Sequence, residues 1–358
     1  MNSTDDKVGW TAEPNGRGTM GLLWSCFATI FLCVWSAFHP NVPADDDTPW
    51  TIFARRCRYM VVGIFAPELV AWTAGLDMIV VANIKKKYSF SKNGTFWTSK
   101  MYFLLLMGGF ALETGPGQLT RPAPKELIRL LDEGVIEMPE LEDSDIDDRS
   151  KADWFTKSIA VLQIVWFLAQ LLGRAIQRLP TTTLELFTAS IVFCGSCAYA
   201  FWWKKPFDIK KPVVLRPASQ HRSASREWPR DVRSVGFLYD KLEDAGDAYY
   251  VSSGIAIILL FAAFHIVGWN FQFPSHSEKI LWRVASAVCG GLPLILFSLL
   301  YFLPHIGMIA PPSVMIPGLA FYVIVRLYLL VEIFIGLRSV PAGVYETPQW
   351  SQYFPAFG

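Results

Sequence analysis

Glu68, Asp77, Glu113 and Glu332 are the residues of this sequence best placed to do chemistry, because each interrupts or borders a run of apolar residues. An ionisable group at membrane depth costs roughly 2.5–3.5 kcal/mol on insertion scales, so each needs a partner or a task. The task that suits them is that of a Brønsted acid, since a carboxyl buried against aromatic surface is pushed towards its neutral, proton-bearing form. Glu68 follows Pro67 in VVGIFAPELVAW; the proline frees a carbonyl one turn back and is expected to kink the helix into a pocket, with Trp72 one turn on over the same face. Asp77 lies nine residues further on, two and a half turns away, so the two carboxyls face opposite sides of one helix and form no dyad. An interfacial or capping role is expected for Asp77.

Glu113 ends LLLMGGFALETGPG, where Gly108 and Gly109 allow close backbone approach and Gly115-Pro116-Gly117 stops a helix. That geometry aims the side chain either into a cavity mouth or into water. Glu332 shares its segment, AFYVIVRLYLLVEIFIGLRSV, with Arg326 and Tyr328. A spacing of six residues does not pair Arg326 with Glu332 on one helix face, so each must look to another helix, and an ion pair between Arg326 and Glu68 is the structural alternative to an acid at Glu68. Tyr328, one turn before Glu332, makes a phenol–carboxyl pair able to give or take a proton. Trp35, near the end of the first apolar run, and Trp269, one turn after His265, complete the aromatic candidates.

Other residues point to packing. Cys194 and Cys197 form a C-x-x-C with no histidine or second pair nearby, which reads as close helix contact rather than metal or redox chemistry. His39 and His265 stand alone, with no hydroxyl nucleophile at suggestive spacing, so acyl transfer with His265 as base is a weak third reading. No metal site and no cofactor are expected.

These residues are carried on an all-α polytopic transmembrane bundle. Of 358 residues, 52% are hydrophobic and only 18% charged, and the mean hydropathy is +0.31, far to the apolar side of a soluble domain. The net charge of +1 offers no basic face for nucleic acid. Apolar runs of the roughly 20 residues a bilayer requires fall at about 20–39, 59–82, 154–173, 183–203, 249–270, 280–303 and 314–337. An eighth, about 99–115, is short and holds Glu113, so it is a span, a re-entrant piece or an interfacial helix, and the count is seven or eight. The first run lacks a basic leader and a cleavage site and is expected to stay as a span. Thr182 and Glu185 fit a capping box, and Asp153 and Asp247 precede two other runs. Trp24, Trp35, Trp50, Trp97, Trp154, Trp202, Trp203 and Trp282 lie near run ends and are expected in the headgroup region.

The chain reads as one integral membrane domain, 1–358, with an acidic polar loop at 116–153 and a basic one at 204–248. Seven spans place IKKKY on the face of the basic loop; the sequon Asn93-Gly94-Thr95 beside it asks for the lumenal side, and orientation stays open.

At EPNGRGTMGLLWSCFATIFLCVWSAFHPNVP, GIFAPELVAW, MGGFALE and TTLELFTASIVFCGSCAYAFWWKKPFDI, the chain resembles a large family of fungal polytopic membrane proteins, over nearly its whole length. Some members are similar to the membrane-bound terpene cyclases of meroterpenoid pathways of ascochlorin, ascofuranone and macrophorin type. The resemblance implies cyclisation of a farnesyl chain on an aromatic or quinone-like head, in a multi-pass protein of the endoplasmic reticulum, with that prenylated small molecule and membrane lipid as partners. It carries over no catalytic residues. The acids Glu68, Glu113, Glu332 and Asp77, and the lining residues Trp72, Tyr328, Trp35, Trp269 and Arg326, rest on the residue chemistry above. Asp145-Ile146-Asp147-Asp148 spells D-x-D-D, the acid motif of soluble proton-initiated cyclases, but it sits in a strongly acidic run and reads as a solvated loop. The rival class is a transporter or receptor, with Arg326, Glu68 and Asp77 along a polar path.

Overall fold

The computed structural model describes residues 7–13, 17–92, 94–115, 118–149, 153–218, 247–308 and 311–349. The chain opens with β1 (Lys7–Val8), α1 (Thr19–Ala37), α2 (Pro49–Phe65), α3 (Pro67–Lys87) and the hairpin β2 (Ser91–Lys92) with β3 (Thr95–Phe96). A region of short elements follows: α4 (Ser99–Leu106), β4 (Phe110–Gly115), β5 (Gln118–Thr120), α5 (Pro124–Asp132) and α6 (Asp143–Arg149). Then come α7 (Asp153–Ile176), α8 (Thr183–Phe201), β6 (Val213–Leu215), α9 (Asp247–Val267), α10 (His276–His305), α11 (Pro312–Ile335) and β7 (Val340–Pro341).

The fold is an all-α bundle, and seven helices (α1, α3 and α7 to α11) are long and apolar enough to cross a membrane. A helix satisfies its own backbone, which lipid demands. The lipid-facing surface is apolar to match: Leu162 is 72% exposed, Ile316 67% and Val267 63%. Helix starts follow local chemistry. The capping box at α8 is present, with Thr182 Oγ1 accepting from the Glu185 amide at 3.1 Å and Glu185 Oε2 accepting from the Thr182 amide at 2.9 Å.

The two ends of the bundle differ. β1 pairs antiparallel with β7, Lys7 opposite Pro341, so the first and last described strands share one end, here called the terminal end. The other, the cap end, carries the sheet β5–β4–β6, in which β4 runs parallel to β6 and antiparallel to β5. A chain that starts and finishes at the same end crosses an even number of times. α1, α7, α8, α9, α10 and α11 run end to end; α3 begins halfway. Its start is pinned by Arg326 Nε, which donates to Phe65 O at 2.7 Å. Arg326 lies ten residues before Gly336, which packs beside Thr183 at the terminal end, so the start of α3 is about 15 Å from that end. α2 and α3 thus form a hairpin that enters and leaves by the cap end, with Gly63 of α2 against Val34 and Phe38 of α1.

Four expectations are corrected here. The run at 59–82 is not one kinked helix: Ala66 is non-helical (φ −143°, ψ 60°) and Pro67 opens α3, because proline lacks the amide a continuing helix needs and disfavours helical backbone in the residue before it. The segment 99–115 is not a span, since α4 stops at Met107, Gly108 turns with φ +70°, and β4 follows. A Cβ on Gly109 would lie 2.2 Å from Leu104 Cδ1, so only glycine fits that turn. The acidic and basic connections, in their described parts, build one cap through β4, β5 and β6 and do not behave as separate loops; 116–117, 150–152 and 219–246 lie outside the described residues. Trp97, Trp202 and Trp282 are buried core side chains, whereas Trp24, Trp50 and Trp203 are exposed as expected of anchors; the Trp154 side chain lies outside the described residues.

Candidate functional site

The break between α2 and α3 leaves carbonyls at the end of one helix and amides at the start of the next without partners, in the middle of an apolar bundle. Arg326 of α11 and Glu68 of α3 answer both. The guanidinium donates to the Phe65 carbonyl at the negative end of α2, and Glu68 occupies the first turn at the positive end of α3. Arg326 Nη2 donates to Glu68 Oε2 at 3.3 Å, and Tyr322 Oη donates to Glu68 Oε1. The guanidinium also lies 4.4 Å over the Phe261 ring. Both carboxylate oxygens of Glu68 accept, so the geometry realises the ion pair, the structural alternative at this position. Trp72, one turn beyond Glu68, stands edge-on to Phe297 at 5.5 Å.

Asp77 is not interfacial. It is 1% exposed, accepting from Trp202 Nε1 and from Lys205 Nζ, each at 2.9 Å, so it ties α3 to the end of α8. Glu113 lies in β4 of the cap, facing Arg216 Nε at 3.2 Å with both side chains well exposed, and so is outside the membrane segment altogether. Trp35 stacks on Phe31 at 5.7 Å beneath the Arg56 guanidinium at the cap end, while Trp269 lies under Arg283 at the opposite end. Trp35 and Trp269 therefore cannot line one chamber with Glu68.

Glu332 is the remaining candidate, and its setting differs. It is 3% exposed, and its Oε1 makes no hydrogen bond; nor does the hydroxyl of Tyr328, one turn away. One turn further along, Gly336 forms part of the wall of a cavity of about 640 Å³ at the terminal end. A Cβ on Gly336 would lie 3.8 Å from Glu332 Oε1 and 3.6 Å from Thr183 Oγ1, so the carboxyl lies behind the Gly336 wall; Glu332 and Tyr328 do not themselves line the cavity. The rim is polar, with Gln177, Thr181, Asn270 and Gln272, and Phe271 and Phe273 supply aromatic wall. Behind the rim, Arg174 is fully buried and donates to the carbonyls of Gly343, Val344 and Glu346, holding the tail that forms one side. The Glu278–Arg338 ion pair stands close by.

Sequence reasoning missed Tyr322, Lys205 and Gly336. Tyr322 precedes Arg326 by one turn and was open to the same spacing argument that found Tyr328. Lys205 and Gly336 carry no such signal, since their roles depend on contacts between distant helices. Cys194 and Cys197 fit the packing reading: all six cysteines are free thiols, and Cys33 Sγ would lie 2.3 Å from a Cβ on the intervening Gly195.

The fold defines a polytopic helical membrane protein whose buried polar groups include three ion-pair clusters, Arg326–Glu68, Lys205–Asp77 and Arg174–Glu185, and, apart from them, a glutamate with one carboxyl oxygen unbonded. The chain belongs to a family of unknown function, DUF8562, whose model matches residues 1–225 and 253–357. No curated protein and no solved structure matches it.

Proposed function

We propose that the chain is a membrane-embedded terpene cyclase, acting on a prenyl chain carried by an aromatic or quinone-like head, with Glu332 as its proton donor. The observation that carries the reading is the buried Glu332 carboxyl, one oxygen of which makes no hydrogen bond, beside Tyr328 and behind the Gly336 wall of the cavity of about 640 Å³, a volume within the usual range of small-molecule sites. The likeness to membrane-bound cyclases, noted from the sequence, supplies the reaction class. A farnesyl chain partitions into lipid and enters chain first, its head staying at the polar rim. Glu332 transfers its proton to the terminal alkene, whose π pair forms the C–H bond and leaves a cation, or to an epoxide oxygen, where the O–H bond forms as the C–O bond breaks to leave the cation. The cation closes onto a neighbouring double bond, steadied by Phe271 and Phe273, and loses a proton to water or to the Glu332 carboxylate, with the Tyr328 hydroxyl as relay. The sum is an isomerisation that needs no cofactor. The endoplasmic reticulum is the expected membrane.

Microsomes holding the protein, given a panel of farnesylated phenols and their terminal epoxides, are expected to yield isomers of equal mass and new retention time. Glu332→Gln abolishes them with the fold intact. Gly336→Ala places a methyl group at ordinary contact distance from Glu332, and the expected outcome is a folded protein of reduced turnover. No conversion by a folded protein across the panel overturns the proposal.

The hairpin that breaks at mid-bundle favours a second reading, transport or sensing, because interrupted helices with charged ends at membrane depth serve ion and substrate sites in carriers. Uptake into proteoliposomes that is lost in Glu68→Gln separates it from the first.

A further inference from the structure

At the cap end, away from Glu332, a second cavity of about 610 Å³ opens between the start of α7 and the chain that leaves α8. Its wall carries four ammonium groups, Lys100, Lys157, Lys204 and Lys205, against one carboxylate, Asp147. Lys100 is paired with that Asp147 at 2.6 Å and Lys205 with Asp77 at 2.9 Å, which fixes both side chains in place. Lys204 is exposed and makes no ion pair among the described residues. The lining continues along α7 as apolar surface: Val161, Leu162 and Val165, the first of them one turn beyond Lys157, are 43%, 72% and 57% exposed.

We propose that this cavity binds an anionic phospholipid of the surrounding leaflet, with the phosphate and headgroup charge at the lysines and an acyl chain along α7. The charge of the wall selects an anion. Its continuity with the outer apolar face of α7 selects a lipid over a soluble anion, which would leave Val161, Leu162 and Val165 against water. Trp203, 64% exposed beside the lysines, sits where an indole marks the headgroup level. Neither Glu332 nor Glu68 lines this cavity, so the assignment stands independently of the function proposed above.

The test uses the full chain in detergent micelles, titrated with short-chain phosphatidylserine or with phosphatidylcholine of the same chains, and bound lipid is counted by native mass spectrometry. Phosphatidylserine is expected to bind preferentially, with affinity falling roughly fivefold in Lys204→Gln and about thirtyfold in Lys204→Glu, since each basic group at a membrane surface contributes about one such factor. Lys204 is exposed, so both variants fold, and an unchanged melting temperature checks that they do. Equal binding of the two lipids, or phosphatidylserine binding indifferent to Lys204→Glu, overturns the proposal. So does displacement of phosphatidylserine by millimolar inorganic phosphate, which assigns the lysines to a soluble anion.

Discussion

Glu68 and Glu332 are both buried glutamates on apolar helices, and their surroundings give them opposite prospects. Removing Glu68 leaves the fully buried Arg326 charge without its counterion, which costs about 3–5 kcal/mol in comparable pairs. Glu68→Ala is therefore expected to lower the melting temperature sharply or prevent accumulation, and the double variant Glu68→Leu with Arg326→Met is expected to recover much of the loss. A Glu68→Ala protein as stable as the parent removes the structural role assigned here. His39 gives a prediction in pH. It lies two residues past α1, 3% exposed between Trp202 and Phe207, and burial, followed by the charge of Lys157, holds its pKa well below the usual 6.5. Lys205 works in the same direction, while the Ala37 carbonyl and Asp77 oppose. Because the folded-state value is depressed, the unfolded chain takes up a proton below about pH 6.5 while the native state does not, and stability falls by up to about 1.4 kcal/mol per pH unit on acidification. Thermal unfolding at pH 7.5 and 5.5 is expected to show the drop, with His39→Leu flattening it.

Among elements, the hairpin of α2 and α3 is the least ordinary and was the hardest to see. The apolar runs of α1 and α7 to α11 were legible because hydropathy and length alone define them. The run at 59–82 satisfied the same criterion although the helix breaks inside it, since hydropathy reports whether a residue suits lipid and not the direction in which the chain travels. Pro67 was visible as a perturbation; that it ends one helix and begins another depends on Arg326 reaching across to Phe65 O, a contact between residues far apart in sequence. Docking of the hairpin rests on Gly63, where a Cβ would come within 2.5 Å of Val34 Cγ1 and 3.0 Å of Phe38 Cε2. Gly63→Val is expected to cost about 1–3 kcal/mol by overpacking, read as an earlier melting transition. An equivalent change at Gly291, which meets nothing within 4 Å, is the control expected to be near neutral on packing grounds.

For the whole molecule, the pairing of β1 with β7 decides what sequence left open, namely that residues 7 and 341 share one end and Lys85, Lys86 and Lys87 project at the other with Lys204. Strands of two residues have no periodicity to detect, which is why parity was out of reach. By the positive-inside rule the cap end, which carries these lysines, is expected to face the cytosol. Epitope tags inserted beside Lys7 and Pro341 are then expected to be protected in sealed microsomes, and the sequon at Asn93, itself outside the described residues but flanked by cap-end strands, is expected to stay unglycosylated. A glycan at Asn93, shown by a mobility shift on deglycosylation, reverses the orientation.

The same strand pair sets a schedule for biosynthesis. β1 emerges more than three hundred residues ahead of its partner β7. At translation rates of about 5–20 residues per second, the first strand waits on the order of tens of seconds for the last. The membrane helices are therefore inserted before the clasp between β1 and β7 can close, and truncation ahead of Val340 leaves a bundle inserted but unfastened.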